Sequence, residues 1–563
     1  MEKLLECVPN FSEGRDLNII KQITDVIEAV DGVTLLDVDP GAATNRTVVT
    51  FVGRPDAVID AAVAAGKKSA ELIDMRHHQG EHPRFGAMDV CPLIPITGME
   101  MEEAIMCAKK LGERLGEEAG LTVFLYEHAA SLENRKNLAT VREGEYEGLK
   151  EKLSLEDWRP DFGPTSFQPK TGATAVSARN FLVAYNVNLN TTSSRRANAV
   201  AFDVREKGRI KREGCHLTGP ILKDKQGEAI WEPGELKAVK GIGWFIEEFG
   251  IAQVSMNLTD ISITSVHEAF DAVSRSANRR GMRVTGSELV GLIPLQAMLD
   301  AGRHYLHKQS RSTGVSDKEL IKIAAHSLGL NDLKPFVPNK NIIEYVLREK
   351  ELSARLADMG LQEFVEETAS ESPAPGGGSV SATIGALGAS LGTMVANLSS
   401  HKRGWDNQWR EFSDWADRGK ICHQKLVSLI DQDTQAFQRI MLAWRMPTST
   451  KEEKSSQKKA LEEATLFATE TPFKIMEASL ESMHILKAMA DKGMSASASD
   501  VGVGVLCARA AIRGAFLNVQ INAKDLKNKN VAEEFEAKGK IIIENAEAKE
   551  KEILSIIKPK IKK

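Results

Sequence analysis

The sequence predicts an α+β region followed by an all-α region, with two similar α/β sandwiches in tandem joined to a helical bundle. Three observations predict it. Before Pro294 the strand and helix signals fall twice into the order β-α-β-β-α-β. After Pro294 strand signals fade and almost every segment has helical period. The chain has 563 residues, enough at about 150 residues per domain for three to four folding units.

In the first series, residues 3–11 are a strand-like apolar run and residues 17–30 have helical spacing. Residues 33–39 and 46–52 read as strands, and 55–73 as a helix with Pro55 in its first turn. Residues 90–96 form a strand, 101–119 a helix and 121–126 a further strand. The second series has a strand at 181–189, a helix at 195–206, and a hairpin of 238–248 and 251–258 about Phe249-Gly250. A helix at 266–280 and a strand from 282 to 292 complete it. This order is the ferredoxin-like arrangement, two helices on one face of an antiparallel sheet. Polar residues 207–234 interrupt the second series as a loop or extended hairpin.

Residues 295–307 and 317–328 read as helices, and 331–348, with Pro335 and Pro338, as a connector. Helical period then covers 361–368, 380–398, 409–444, 451–490, 500–521 and 531–556, a bundle with many glycines and alanines at its crossings. The expected domains are 1–180, 181–330 and 353–563, with a linker at 331–352.

Lys and Arg number 73 against 78 Asp and Glu, a net charge of −5 that argues against a nucleic-acid binder. Six scattered cysteines without a C-x-x-C pair argue against a disulfide framework or zinc ribbon and fit a reducing compartment. The N-terminus has no apolar signal core. Residues 372–400 are long and apolar, but their prolines, glycines and hydroxyls read as a buried helix behind a glycine loop rather than a membrane span. A cytoplasmic protein is expected.

The densest polar cluster is Arg76-His77-His78-Gln79-Gly80-Glu81-His82-Pro83-Arg84. Three readings stand open: a metal site, a polar surface loop, or an acid/base histidine flanked by Glu81 and Arg84. Asp37 and Asp39 end a strand, placed either to hold a histidine or to make the turn before Pro40-Gly41. Asn45-Arg46 either meets an anion or closes a turn. The loop from Asp161 to Gly172 carries Phe162 and Phe167, suited to stacking on a flat ring, or is a linker. Gly376-Gly377-Gly378 leads into a helix whose free N–H groups attract anions, and no Walker lysine follows. Of Asp431 and Asp433, two apart on one helix, only one is expected to face inward. Asp500 reads as an N-cap ahead of Asn518 and Asn522, which share a face.

These residues resemble a known family. Cys7-Val8-Pro9-Asn10-Phe11-Ser12-Glu13-Gly14, Leu35-Leu36-Asp37-Val38-Asp39, Asn45-Arg46-Thr47, Gly80-Glu81-His82-Pro83-Arg84, Asp89-Val90-Cys91-Pro92 and Pro160-Asp161-Phe162-Gly163-Pro164 are similar to the formiminotransferase domain. Ala374-Pro375-Gly376-Gly377-Gly378-Ser379-Val380 and Asp431-Gln432-Asp433-Thr434-Gln435-Ala436-Phe437 resemble the cyclodeaminases, a pattern shared with methenyltetrahydrofolate cyclohydrolases. Order and spacing resemble the bifunctional formiminotransferase–cyclodeaminase family over nearly the whole chain.

The resemblance implies a first domain that moves the formimino group of N-formimino-L-glutamate to N5 of tetrahydrofolate, and a second that expels ammonia to give 5,10-methenyltetrahydrofolate. It places the transferase acid/base at His82, a supporting carboxylate at Asp39 and the cyclodeaminase acid at Asp433. It places the folate loop at Gly163, Pro164, Thr165, Ser166, Phe167, Gln168, Pro169, Lys170, Thr171 and Gly172. Arg46, Arg84, Gly376, Gly377 and Gly378 are the candidate substrate contacts. It further implies tetrahydrofolate, polyglutamylated, as co-substrate, no metal, and a ring-shaped octamer. Residues 207–234 depart from the family, being longer than in its animal members. Two alternatives are a cyclohydrolase in place of the cyclodeaminase, and a helical domain that only assembles.

Overall fold

A computed structural model describes residues 3–42, 44–80, 83–96, 98–214, 219–247, 249–350 and 355–562. The chain divides into two compact units, Met1–Ala297 with Leu328–Glu351, and Met298–Ser327 with Leu352–Lys563. A mixed α/β region therefore precedes a helical one.

In the first unit, strands β1 (Leu5–Cys7) and β2 (Asn10–Phe11) are one apolar run broken at Pro9, and both pair antiparallel with β4 (Arg46–Gly53) and β5 (Met88–Pro95). Strand β3 (Val33–Gly41) pairs with β4, opposing Asp39 to Val48. Helix α1 (Leu17–Glu28) starts where the Asp16 carboxylate accepts from the Asn18 N–H at 2.8 Å. Helix α2 (Pro55–Leu72) has Pro55 at its first position, where a missing N–H costs nothing. Helix α3 (Met101–Glu118) starts with a Glu100–Glu103 capping box. Leu5, Cys7, Phe51 and Leu93 on the sheet pack with Ile23, Ile27, Val58, Leu111 and Leu115 of these helices into one core.

Strand β6 (Thr122–Glu127) does not close this sheet directly. Strand β7 (Ala173–Ala178) lies between β5 and β6, parallel to both. The sequence reading stopped at the Gly172 turn and missed it, because its small residues ATAVSA carry a weak strand signal. Helices α4 (Leu138–Val141) and α5 (Glu145–Lys152) cover the opposite face of the sheet through Phe85, Phe124, Val141 and Leu149.

The second half of this unit has β8 (Val183–Leu189), α6 (Ser194–Val204), β9 (Arg209–Ile210), β10 (Trp231–Glu232), β11 (Val239–Ile246), β12 (Ile251–Leu258), α7 (Val266–Arg279) and β13 (Val284–Val290). The four long strands run in the order β11-β12-β8-β13, all antiparallel. The described residues of the 207–234 segment, 207–214 and 219–234, pair as an extended hairpin through β9–β10 and the bridges Arg212–Ile221 and Lys223–Ala229.

Helices α8 (Leu295–Lys308) and α9 (Asp317–Ser327) follow, then α10 (Pro338–Asn341) and α11 (Ile343–Lys350). The two compact units do not follow linear boundaries here. Met298–Ser327 goes with the helical unit, whereas Leu328–Glu351 returns to the first. The stretch read as a connector is ordered because Ile342 and Ile343 are fully buried and Ile342 bridges Ile293.

The helical unit adds α12 (Leu361–Thr368), α13 (Gly377–Ser400), α14 (Trp409–Trp444), α15 (Lys451–Lys492), α16 (Ala498–Ala523) and α17 (Lys529–Ile561). Among the described residues α13 alone is long and apolar enough to cross a membrane, and most of it is buried inside the bundle. Its glycines explain that. A Cβ on Gly388 would come to 2.8 Å of the Gly504 carbonyl, and one on Gly504 to 3.1 Å of the Gly388 carbonyl. The α13 and α16 backbones touch where neither carries a side chain. Helix α16 begins at Ala498, so Asp500 lies inside its first turn rather than capping it.

Candidate functional sites

The first polar constellation gathers at the turn between β3 and β4. Asn45 occupies it at φ +48°, a left-handed conformation asparagine tolerates. Its side chain accepts from the Gly14 N–H at 3.0 Å and donates to the Gln79 carbonyl at 3.0 Å. It therefore closes the turn and ties it to the histidine cluster. Gly80 packs against the Thr44 carbonyl with no room for a Cβ.

His78 Nε2 lies 2.8 Å from the Asn45 carbonyl, and Arg84 Nε donates to His78 Nδ1 at 3.2 Å. Nδ1 must accept, so Nε2 carries the hydrogen and the ring is neutral. Burial first, and the Arg84 charge after it, pull its pKa below the usual histidine range. His78 is thus a fixed wall and not a proton carrier. His77 is exposed. His82 and Glu81 lie outside the described residues. Among the described residues no group of three His, Cys, Asp or Glu side chains forms a metal cluster.

Arg84 is held bidentately by Glu147, at 2.9 and 2.8 Å, and by Glu145 at 3.2 Å. These side chains with Gln79, Gly80 and Gly144 border an open hollow of about 490 Å³. Arg46 pairs with the fully buried Asp89 and donates through Nε to Asn10 Oδ1 at 3.0 Å. Asp89 also takes Arg142 at 2.5 Å and the Phe85 N–H at 2.9 Å. Among the described residues, Arg46 and Arg84 are thus both already paired with carboxylates of the protein. Asp39 is exposed on β3 and, among the described residues, bonds no side chain.

The 163–172 loop is anchored from both ends. Gly163 (φ +77°) sits against the backbone at Leu121 and Gly116, and Gly172 (φ +65°) against Phe85 and Gly86, so neither admits a side chain. The Phe167 and Tyr146 rings lie 5.6 Å apart, and the Tyr146 hydroxyl donates to the Pro169 carbonyl at 2.6 Å. The first turn of α5 therefore grips the loop through Tyr146 and the Arg84–His78 group through Glu145 and Glu147. Sequence reasoning missed Tyr146, Glu147 and the buried Asp89–Arg142 pair. Acidic and aromatic residues in a short helix carry no signal of what they reach across the fold.

The second constellation lies in the helical unit. Asp433 on α14 accepts from the Ser379 N–H at 2.9 Å and the Ser379 hydroxyl at 3.0 Å. The anion met by the first turn of α13 is therefore the protein's own carboxylate. A Cβ on Gly378 would lie 2.6 Å from Asp433 Oδ2, and one on Gly377 3.5 Å from Asn518 Nδ2. Burial pushes the Asp433 carboxyl above the usual range, while its two hydrogen bonds from Ser379 pull the other way and are outweighed. Asp431 points elsewhere, accepting from the Leu356 N–H at 2.8 Å. The two carboxylates of the pair part as helical geometry requires. Asn518 and Asn522 turn to backbone carbonyls, Gly514 at 3.0 Å and Ala468 at 2.6 Å. Ser379 was visible in the glycine motif only as the residue after the three glycines.

Comparison with known proteins gives a consistent picture. The described family "Formiminotransferase domain, N-terminal subdomain" matches residues 4–179, "Formiminotransferase domain" residues 184–348, and "Formiminotransferase-cyclodeaminase" residues 360–540. The formimidoyltransferase-cyclodeaminase of Rattus norvegicus is 41% identical over 526 residues, 93% of each chain. That of Dictyostelium discoideum is 42% identical over 559 residues, 99% of each. The glutamate formimidoyltransferase of Thermoplasma acidophilum is 40% identical over 324 residues, 57% of this chain and 98% of its own.

Proposed function

The chain belongs to the formiminotransferase-cyclodeaminase family, and on that premise we propose how its residues divide the work. It is a bifunctional enzyme. It transfers the formimino group of N-formimino-L-glutamate to N5 of tetrahydrofolate, then cyclodeaminates 5-formiminotetrahydrofolate to 5,10-methenyltetrahydrofolate and ammonia.

In the transfer, N5 attacks the amidine carbon and the bond to the glutamate nitrogen breaks. His82 takes the N5 proton and returns one to the departing amine, with Asp39 stabilising the imidazolium between the two events. Gly163 to Gly172 hold the folate. The anchoring of this loop and of the Arg84–His78 group to the same α5 turn supports placing both beside one reaction centre. Arg46 and Arg84 then act as supports beneath the substrate.

In the cyclodeamination N10 closes on the same carbon and the amino group leaves, which is favourable only if that nitrogen is protonated. Asp433 gives that proton, and Gly376, Gly377 and Gly378 leave room for substrate above it. The observation that carries this reading is the half-buried Asp433 carboxylate, raised in pKa by desolvation and lying against glycines without side chains.

The same reading assigns 1–180 and 181–330 to two ferredoxin-like halves of the transferase, 331–352 to a linker and 353–563 to the cyclodeaminase. The strand order β11-β12-β8-β13 supports it for the second half. Polyglutamylated tetrahydrofolate is the co-substrate, and the enzyme works in the cytoplasm as a homo-oligomer, an octamer. Exposed Leu387 and Leu398 on α13 and Val503, Leu517 and Ile521 on α16 support assembly through the helical unit.

The test mixes pure protein with formiminoglutamate and tetrahydrofolate and follows ammonia and methenyltetrahydrofolate together. Equal amounts of both are expected. Accumulation of formiminotetrahydrofolate without ammonia would remove the second activity, and an unaltered folate would remove both.

A further inference from the structure

A cavity in the second half of the first unit belongs to neither constellation. It lies between the outer side of α6 and the β9–β10 hairpin and encloses about 370 Å³, within the range of small-molecule sites. Arg195, Phe202 and Arg205 line it from α6 and its end, spaced to share one side of the helix; Arg209, Arg212 and Trp231 line it from the hairpin. Among the described residues no acidic side chain lines it.

The charge of these arginines is poorly offset. Arg205 donates to the carbonyls of Gly208 at 2.9 Å and Gly241 at 3.2 Å, and Arg212 to that of Gly219 at 2.8 Å. Those bonds orient the guanidinium heads without neutralising them. Asp203 pairs with Arg209 but is also held by Arg280 at 2.7 and 2.9 Å and by the Ser276 hydroxyl at 2.6 Å. Two cations thus share one anion behind the cavity. Burial pulls Arg205 and Arg209 below the ordinary arginine range, and for Arg209 the Arg280 charge adds to the fall while Glu232 opposes it.

The geometry narrows the ligand class. Arg195 and Arg212 pair with no carboxylate among the described residues, and Arg205 and Arg209 add their charge beside them, so the cavity carries more positive charge than a single carboxylate offsets. The Phe202 ring already carries the Arg205 guanidinium at 4.1 Å, and the Trp231 ring the Lys207 ammonium at 4.3 Å. The rings back the cations instead of lying open to stack a base. Recognition therefore falls on a compact group rich in oxygen and charge. We propose that this cavity binds a di- or triphosphate group, either inorganic or carried on a nucleoside.

The experiment titrates the full chain calorimetrically at fixed ionic strength with inorganic triphosphate, with ADP, and with a γ-linked triglutamate. Saturable binding of triphosphate at one per chain is expected, weakened at least ~10-fold in Arg195→Glu/Arg212→Glu with transferase turnover unchanged. ADP binding much tighter than triphosphate would identify a nucleotide as the source; equal binding would identify the phosphates alone. Both outcomes support the site. Absence of saturable heat, unchanged affinity in the variant, or triglutamate binding as tightly as triphosphate would each overturn it. If the double variant does not fold, Arg195→Gln removes one exposed guanidinium that pairs with no described carboxylate, and is expected to show the same direction of loss.

Discussion

Gly378→Ala is the sharpest perturbation of the helical unit. The new methyl would lie 2.5 Å from the Asp433 carboxyl carbon and 2.6 Å from Oδ2. Carbon atoms in contact sit about 3.5–4.0 Å apart, so the carboxylate has to retreat by about 1 Å. It is the far end of a rotatable side chain, so it swings away and the α13 backbone stays. The movement gives up the two bonds from Ser379, at 2.9 and 3.0 Å. Misplacing a reacting group by about 1 Å costs on the order of 100-fold in rate. The assay supplies 5-formiminotetrahydrofolate and follows ammonia release, with formimino transfer measured in parallel. A fall of about 100-fold in deamination is expected, with transfer and the helical unit's melting temperature nearly unchanged. Full deamination by a folded Gly378→Ala protein would refute the link between the glycine loop and the acid. A matching loss of transfer would refute the assignment to one site.

Other expectations follow from the same contacts. His82→Ala should abolish transfer and spare deamination of supplied intermediate, and Asp433→Asn the reverse; a folded single variant losing both activities contradicts the two-site division. Glu6 is 4% exposed and burial raises its carboxyl to about 7, with Arg179 opposing and Glu344 adding to the rise. The folded state therefore holds this proton more tightly than the unfolded one. The stability it confers is present below its unfolded value of 4.5 and is lost as pH rises through about 7. Urea unfolding of Glu6→Gln should match the parent at low pH and exceed it by about 3 kcal/mol at pH above ~8, whereas parallel curves would count against the buried acid. Asp89→Asn strands Arg46 and Arg142 without their shared counter-charge and should cost about 3–5 kcal/mol in the same unfolding measurement; a loss below about 1 kcal/mol would mean the pair is solvated.

Much was legible in the chain because the signals are local. The helix over residues 409–444 ends where its periodicity does, and Pro55 marks the first turn of α2. Three consecutive glycines before an apolar helix marked free N–H groups that attract an anion. What approaches it, Asp433 from 55 positions further on than Gly378, was visible as half of an acidic pair with two possible directions. Strand β7 escaped because alanine and serine make a strand only between partners already in place. The 331–348 stretch looked like a connector because prolines mask two isoleucines that the fold buries completely.

By itself the sequence determined most of the long elements, the division into an α/β region and a helical bundle, and the motifs that mark both chemistries. These depend on spacing along the chain, and spacing is what a sequence records. The tertiary structure alone decided which charges are spent. Arg46 and Arg84 read as open forks until the fold brought Asp89 and Glu147 to them, 43 and 63 positions away. His78 read only as one of three clustered histidines until Arg84 and the Asn45 carbonyl fixed its tautomer from two sides. A side chain's ionisation and availability depend on the desolvation and partners it meets in space, and those are set by distances through the fold rather than along the chain.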